Sequence, residues 1–256
     1  GLVLLLASNA FCQTDEATRK AIEDMDWMTE QYPPFNFVDE KDGQLKGITV
    51  DILMQIFKKI GVSISEKDIK VLPWARSYKR VLEKPGSVLF STTYTVERLQ
   101  NFRFVGPIIP TWVSIIAPKD KHLTIRTVED MNKLRIGVVR DDIGDQLITA
   151  LGVDDDSIER TSSAVNMIQM LDRNRLDAIA YAEDVAHYQF GIAGLDNDDF
   201  ETVRVLKRSH MGYSFHRTTD PRILEPIRQA LDELRADGTI DRIYRDYIRG
   251  AKSAER

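Results

Sequence analysis

The chain has 256 residues, 43% of them hydrophobic and 8% aromatic, which is enough to fill a core and too much for a disordered protein. Its 35 Lys and Arg against 40 Asp and Glu leave a formal net charge of -5, and no block of basic residues is present. That balance excludes the electrostatic footprint of a nucleic-acid-binding domain.

The first residues read GLVLLLASNAFCQTDEA. An apolar run, Leu2–Ala7, is followed by the small residues Ser8 and Ala10 at the spacing that signal peptidase reads. Residues 1–12 are therefore expected to be the end of a signal peptide, and the protein periplasmic. The run is far short of the roughly 20 residues a membrane helix needs. Cys12 is the one cysteine, so no internal disulfide is expected. Asn9-Ala10-Phe11 before it is a poor lead-in for a lipid anchor, which prefers small residues there.

Further on, the turn Asp42-Gly43 precedes a short strand ending at Lys46–Ile48. Thr49 is expected to cap a helix in which Val50, Leu53, Ile56, Phe57 and Ile60 recur at helical spacing, with Gly61 as its stop. Ile69–Leu72 reads as a strand closed by Pro73, and Ala75–Leu82 as a helix with Tyr78, Val81 and Leu82 inward. Val88–Ser91 is a strand. The next stretch, STTYTVERLQNFRFVGPI, predicts small hydroxyls, a helix starting near Glu97-Arg98, a strand at Phe102–Val105 and a Gly106-Pro107 stop. Val113–Ile116 is another strand.

A second cycle opens after Pro118. Thr127 caps a short turn, Arg135–Val139 is a strand and Asp145–Leu151 a helix. Val165, Ile168, Met170 and Leu171 mark another helix, followed by strands at Ala178–Tyr181, Val203–Leu206 and Met211–Phe215. Asp220 caps a helix with Pro221 at its first position and Gly238 past its end; Ile240, Ile243, Tyr244 and Tyr247 stripe the last one. Alternating strands and helices predict two α/β units with mixed, mostly parallel sheets. Residues 116–212 form the inserted unit, between 18–115 and 213–250, and 251–256 are a polar tail. The crossovers fall at Val113–Pro118 and Ser209–Phe215, a two-strand hinge of the kind that lets lobes close on a ligand.

Several blocks resemble the bacterial extracellular solute-binding proteins of family 3, the polar amino-acid receptors of ABC importers. They are Tyr32-Pro33-Pro34-Phe35 with Gly47-Ile48-Thr49-Val50-Asp51-Ile52, Thr93-Tyr94-Thr95-Val96-Glu97-Arg98 with Phe102–Pro107, Arg135-Ile136-Gly137-Val138-Val139, Leu176-Asp177-Ala178-Ile179, and Leu234–Tyr244. Each block is weak alone; their order and spacing carry the likeness. Leu72-Pro73-Trp74-Ala75-Arg76 is similar to a divergent branch. The resemblance implies a two-lobed type II periplasmic-binding-protein fold, a small polar solute, a membrane permease as partner, a monomer and no cofactor.

The resemblance also implies site residues. Arg98 stands where the family binds the substrate carboxylate, and a guanidinium fork at a helix start suits that chemistry. Thr93 and Thr95 would add donors beside it, and Tyr32 and Trp74 would wall the ligand. Read without the resemblance, Thr95 is an N-cap, Arg98 a solvated first-turn residue, and the two rings ordinary core. Phe35 reads as core and Arg76 as solvated.

The second lobe departs from the family pattern. Where a glycine and a small hydroxyl are usual, the chain has Arg140-Asp141-Asp142-Ile143-Gly144. Arg140 is a second anion contact, or Asp141 and Asp142 cap the following helix; both readings stand. Ala182 falls at the usual acidic position for an α-amino group, and a one-residue shift brings Glu183 there. A simple carboxylate ligand therefore remains open beside an amino acid.

Two other functions compete. An enzyme on this scaffold, of dehydratase type, would need an acid–base group, for which Glu183 is the candidate. His122, His187, His210 and His216 lack catalytic or metal-binding spacing, so no metal is expected. A ligand-sensing accessory to a membrane receptor is the third class.

Overall fold

The computed structural model describes residues 14–254; the expected leader, Cys12 and residues 255–256 lie outside that range. In chain order the elements are α1 (Glu16–Glu23), β1 (Asp26–Thr29), β2 (Phe37–Val38), β3 (Leu45–Lys46), α2 (Ile48–Ile60), β4 (Lys70–Val71), α3 (Trp74–Glu83), β5 (Ser87–Thr93) and α4 (Val96–Asn101). Then come β6 (Phe102–Pro118), α5 (Val128–Met131), β7 (Ile136–Val139), α6 (Ile143–Ala150), β8 (Ile158–Thr161), α7 (Ala164–Asp172), β9 (Ala178–Ala182) and α8 (Glu183–Ile192). The chain ends with β10 (Phe200–His216), α9 (Pro221–Ala236) and α10 (Thr239–Ala254), so residues 251–254 of the expected tail belong to a helix. Among the described residues no helix is long and apolar enough to cross a membrane.

Eight strands form one sheet in the order β4-β1-β5-β10-β6-β9-β7-β8. The outer three on either side are parallel to one another. Through the middle run β6 and β10, antiparallel partners of 17 residues each. One end of this pair belongs to the first lobe: Met211–Phe215 pairs with Val88–Thr93. The other belongs to the second: Val113–Ile116 pairs with Ile179–Ala182. Between them Pro110–Trp112 and Arg208–His210 are, among the described residues, strand partners of each other and of no other strand. The sheet narrows to two strands there, and this neck joins two α/β lobes.

The long strands correct two expectations. Four separate strands were expected where two continuous ones run, and Gly106-Pro107 does not stop β6. Gly106 has φ 155, and a Cβ there would lie 2.6 Å from the Tyr94 hydroxyl. Gly212, opposite, would put a Cβ 2.8 Å from the same ring. Tyr94 thus packs onto bare backbone, with its ring stacked on Phe104 at 4.3 Å. Tyr94 N–H donates to the His210 carbonyl at 2.9 Å, and Ser209 Oγ donates to the Tyr94 carbonyl at 2.8 Å.

α2 begins one residue before the expected cap. Gly47 takes its N-cap position with φ 129, where a Cβ would collide with the Phe35 backbone. Thr49 is released from capping and donates to the Phe35 carbonyl at 2.9 Å. Ile48, Val50, Ile52, Leu53, Ile56 and Phe57 face the first-lobe core, each burial contributing about 1.5–3 kcal/mol. A second cluster, with Ile115, Ile136, Val138, Ile148 and Ala180, fills the far lobe.

Candidate functional site

The carboxyl ends of the parallel strands in both lobes point at one place, where open α/β sheets bind ligands. β1 runs out into Glu30 and Tyr32, and β5 into α4. From the other lobe β7 runs out into Arg140–Asp142, and β9 ends at Tyr181-Ala182.

Arg98 is the centre of this convergence. α4 begins at Val96 because Thr95 caps it, Arg98 N–H donating to Thr95 Oγ1 at 3.0 Å. The side chain is fully buried, neither solvated nor open to a cleft. Nη1 donates to the Thr93 carbonyl at 3.2 Å, and Nε donates to Gln146 Oε1, on α6 of the opposite lobe, at 3.1 Å. Its Cζ lies 5.2 Å from the ring centroids of both Trp74 and Tyr78, which stack on each other at 5.5 Å, a cation–π contact with a pair of rings. Nη2 is buried with no hydrogen-bond partner among the described residues.

The lobes meet over this group. Trp74 Nε1 donates to the Asp141 carbonyl at 2.8 Å. Tyr32 and Tyr181 pack edge to face at 5.7 Å, and Phe37 lies 5.9 Å from Tyr188. Each pair joins one lobe to the other, so the arrangement is closed.

Two carboxylates share the interior with Arg98. Asp142 holds the N-cap position of α6 yet makes no side-chain capping bond, and its Oδ2 is buried without a partner among the described residues. Burial pushes its carboxyl up to about 6, with the Arg98 charge opposing the shift. Glu30 is buried too, and is pushed well above the usual carboxylate range by burial and then by the Asp142 charge, again opposed by Arg98. Neither acid makes an ion pair with Arg98 within 4.0 Å. Burial, and after it the Asp142 and Glu30 charges, push the Tyr32 and Tyr181 hydroxyls well above the usual phenol range, with Arg98 opposing the shift at Tyr32. Asp145, one turn into α6, contrasts with Asp142. It accepts from Asp141 N–H at 2.9 Å and pairs with Arg160 at 2.9 Å.

The structure therefore gathers Arg98, Thr93, Thr95, Tyr32 and Trp74. It does not gather the other two expected residues. Arg140 is exposed, beyond the end of β7, and its backbone N–H donates to the Thr161 carbonyl at 3.0 Å. Glu183 accepts from Ser114 Oγ at 2.5 Å and from Thr202 Oγ1 at 2.9 Å, so β6 and β10 hold its carboxylate. Ala182, before it, is a buried methyl. Both placements correct the sequence reading. Asp141 takes φ 59, the left-handed conformation a glycine would adopt there. Of the open alternatives in that loop, Asp142 is the cap by position only.

Sequence reasoning missed Glu30 and the burial of Asp142. The available signal was an acid directly at the end of an apolar strand, Trp27–Thr29. β1 is four residues long and begins with Asp26, whose charge is taken up by Lys70 at 2.6 Å and by Arg80, so no alternation marks it as a strand.

Two α/β lobes on a pair of crossing strands, with their strand ends turned toward a shared interior, define the type II periplasmic-binding-protein fold. A substrate-binding protein of an ABC uptake transporter from Streptococcus pneumoniae, solved with bound histidine, has a TM-score of 0.77 at 16% identity, over 90% of this chain and 94% of that one. A mutant of ArgBP from T. maritima has a TM-score of 0.75 at 24% identity, over 89% and 99%. A histidine kinase sensor domain with similarity to periplasmic binding proteins has a TM-score of 0.76 at 18% identity, over 88% and 96%.

The chain belongs to the bacterial extracellular solute-binding proteins, family 3, which it matches over residues 27–250. Curated relatives include a probable histidine-binding protein of Neisseria gonorrhoeae, 25% identical over 221 residues, covering 85% of this chain and 80% of the relative. The L-cystine-binding protein TcyJ of Escherichia coli (strain K12) is 24% identical over 220 residues, covering 82% and 76%. This is a solute-binding protein.

Proposed function

We propose that the protein captures a small carboxylate-bearing solute in the periplasm, closes its lobes around it and delivers it, as a monomer, to the permease of an ABC importer. The observation that carries the anchor is Arg98 Nη2, a buried guanidinium donor with no partner among the described residues, between two lobes. A carboxylate oxygen satisfies such a donor at charge-assisted strength. Thr93 supports the anchor through its carbonyl and Thr95 through its cap, while Tyr32 and Trp74 wall the solute. Gln146, which reaches Arg98 only from the far lobe, makes closure and anchoring one event.

Binding without chemistry is the reading we adopt. Glu183, the acid–base candidate of the sequence, is held by two hydroxyls on the hinge strands. The lobes exchange, in this reading, at the two-stranded neck, 110–112 and 208–210, a few residues before the boundaries expected from sequence.

A thermal-shift screen over amino acids, dicarboxylates and small anions tests the assignment. The right solute raises Tm by mass action on the folded, closed form. Arg98→Ala is expected to abolish that rise. Retention of full affinity by this variant would remove Arg98 from the site.

A further inference from the structure

The two faces of α3 carry different chemistry. Trp74, Ser77, Tyr78 and Val81 are buried, and the two rings among them back Arg98. The other face presents Arg76, Lys79, Arg80 and Glu83 at helical spacing, with Lys84 just past the helix end. These five residues and Pro85 line a depression of about 330 Å3 on the first lobe. Four cations and one acid thus share one hollow, on a chain whose formal net charge is -5.

The neighbouring acids do not neutralise it. Glu83 reaches Lys79 alone, at 4.0 Å, and Arg76 has no acid within 4.0 Å among the described residues. The remaining acid is Asp26, at the start of β1, whose side chain is 9% exposed. Arg80 lies 2.5 Å from it, Lys70 2.6 Å and Lys84 3.6 Å, so one carboxylate answers three cations. Two donors there remain unused. Arg80 Nε is buried with no hydrogen-bond partner among the described residues, and so is the hydroxyl of Ser87, the strand partner of Asp26.

The dipole of α3 accounts for part of this pattern, since it favours cations at the helix end where Arg80 and Lys84 stand. It does not account for Arg76, which occupies the first turn, where a cation is disfavoured, nor for Lys70, which comes from β4. Like charges three and four residues apart, as in Arg76, Lys79 and Arg80, also repel.

We propose that this outer face of α3 is a site for a phosphate-type oxyanion, separate from the solute cleft. A guanidinium fork matches two oxygens of such a group, and an ammonium serves it as a point charge. Arg76 and Arg80, one turn apart, supply the forks, and Lys79 and Lys84 the charge. The bound oxyanion relieves the repulsion along the helix and takes up the surplus that Asp26 leaves. Free inorganic phosphate and the headgroup of an anionic lipid offer the same chemistry. In the second form the site holds the protein against a membrane surface.

Calorimetry with inorganic phosphate in chloride buffer, and sedimentation with phosphatidylglycerol or phosphatidylcholine vesicles, test the proposal on the whole chain. A free oxyanion as ligand gives saturable phosphate binding that survives Arg98→Ala. A lipid headgroup as ligand gives binding to phosphatidylglycerol vesicles and not to phosphatidylcholine. Arg76→Gln combined with Lys84→Gln, both at exposed positions, should leave Tm and the circular dichroism of the parent unchanged. It should weaken vesicle binding about thirtyfold, at about fivefold per cation near an anionic surface. Phosphate affinity should fall about tenfold, as for a lost hydrogen bond to a charged group. Arg80→Lys keeps the charge beside Asp26 and removes the fork, so it should weaken phosphate by a similar factor. The proposal falls if neither probe binds, or if the double variant binds within threefold of the parent. It falls equally if Arg98→Ala abolishes phosphate binding while the vesicles stay free, since the anion then sits in the cleft.

Discussion

Arg98 and Asp142 share the closed interior but are held in opposite ways. The arginine is fixed from its own lobe by the Thr93 carbonyl and the Trp74 and Tyr78 rings, and the far lobe adds Gln146. The aspartate keeps an oxygen with no bond. The difference teaches how closure can wait for a solute. The first lobe carries a prepared anchor, and the second brings an unmet charge that is hydrated while the lobes are apart. Closing on nothing buries Nη2 and Oδ2 unsatisfied, each at a cost of about 1–3 kcal/mol or more. A solute that partners both removes the penalty, which is the differential affinity a population shift requires.

The strongest way to break this comparison is Arg98→Ala. It removes the anchor and leaves two buried acids without a counter-charge, so affinity for the cognate solute should fall about 10²–10³-fold by calorimetry. A loss below threefold would mean that the two groups are not the two ends of one site.

Asp142→Asn sharpens the other side. In the closed form its carboxyl is pushed above the ordinary aspartate value, to about 6, so the closed form binds the proton more tightly than the open one. Ligand-free closure is therefore favoured as pH falls through about 6 and opposed as pH rises above it. A shift of this size corresponds to about 3 kcal/mol against closure at pH 8. Small-angle scattering should show the ligand-free protein contracting between pH 8 and pH 5, and Asp142→Asn already compact at pH 8. An unchanged radius of gyration in both would refute the unmet-charge account.

Trp74→Phe keeps a ring beside Arg98 but loses the donor to the Asp141 carbonyl. One hydrogen bond of about 1 kcal/mol predicts a roughly fivefold weaker affinity and faster solute release in stopped flow. The smallest effects belong to Arg140→Ala and Glu183→Gln, both expected within twofold of the parent affinity. A larger effect of either would return that residue to the site and undo its present placement.

Much of the molecule could be read from local pattern. α2 and α9 announce themselves by apolar spacing and by punctuation, Asp220 accepting from Arg222 N–H and Gly238 adopting φ 76 after the end of α9. Arg98 was legible through the resemblance of Thr93–Arg98 to the family motif, since a hydroxyl cap followed by an arginine reads by itself as a solvated first turn. The long strands were not, since three register shifts interrupt the alternation along β10 and Gly106-Pro107 has the composition of a turn. Glu30 and Asp142 were illegible for a different reason. A charged residue at a strand end looks solvated in any local window, and here two such residues from different lobes share one buried interior with Arg98.

The Tyr94 contact on the neck has a mechanical consequence. This tyrosine is stapled to β10 through His210 and Ser209, and the next residue, Thr95, caps the helix that bears Arg98. Axle and grip are thus coupled through one short run of chain, so a substitution that loosened Tyr94 from the neck would be felt at the helix that carries the guanidinium.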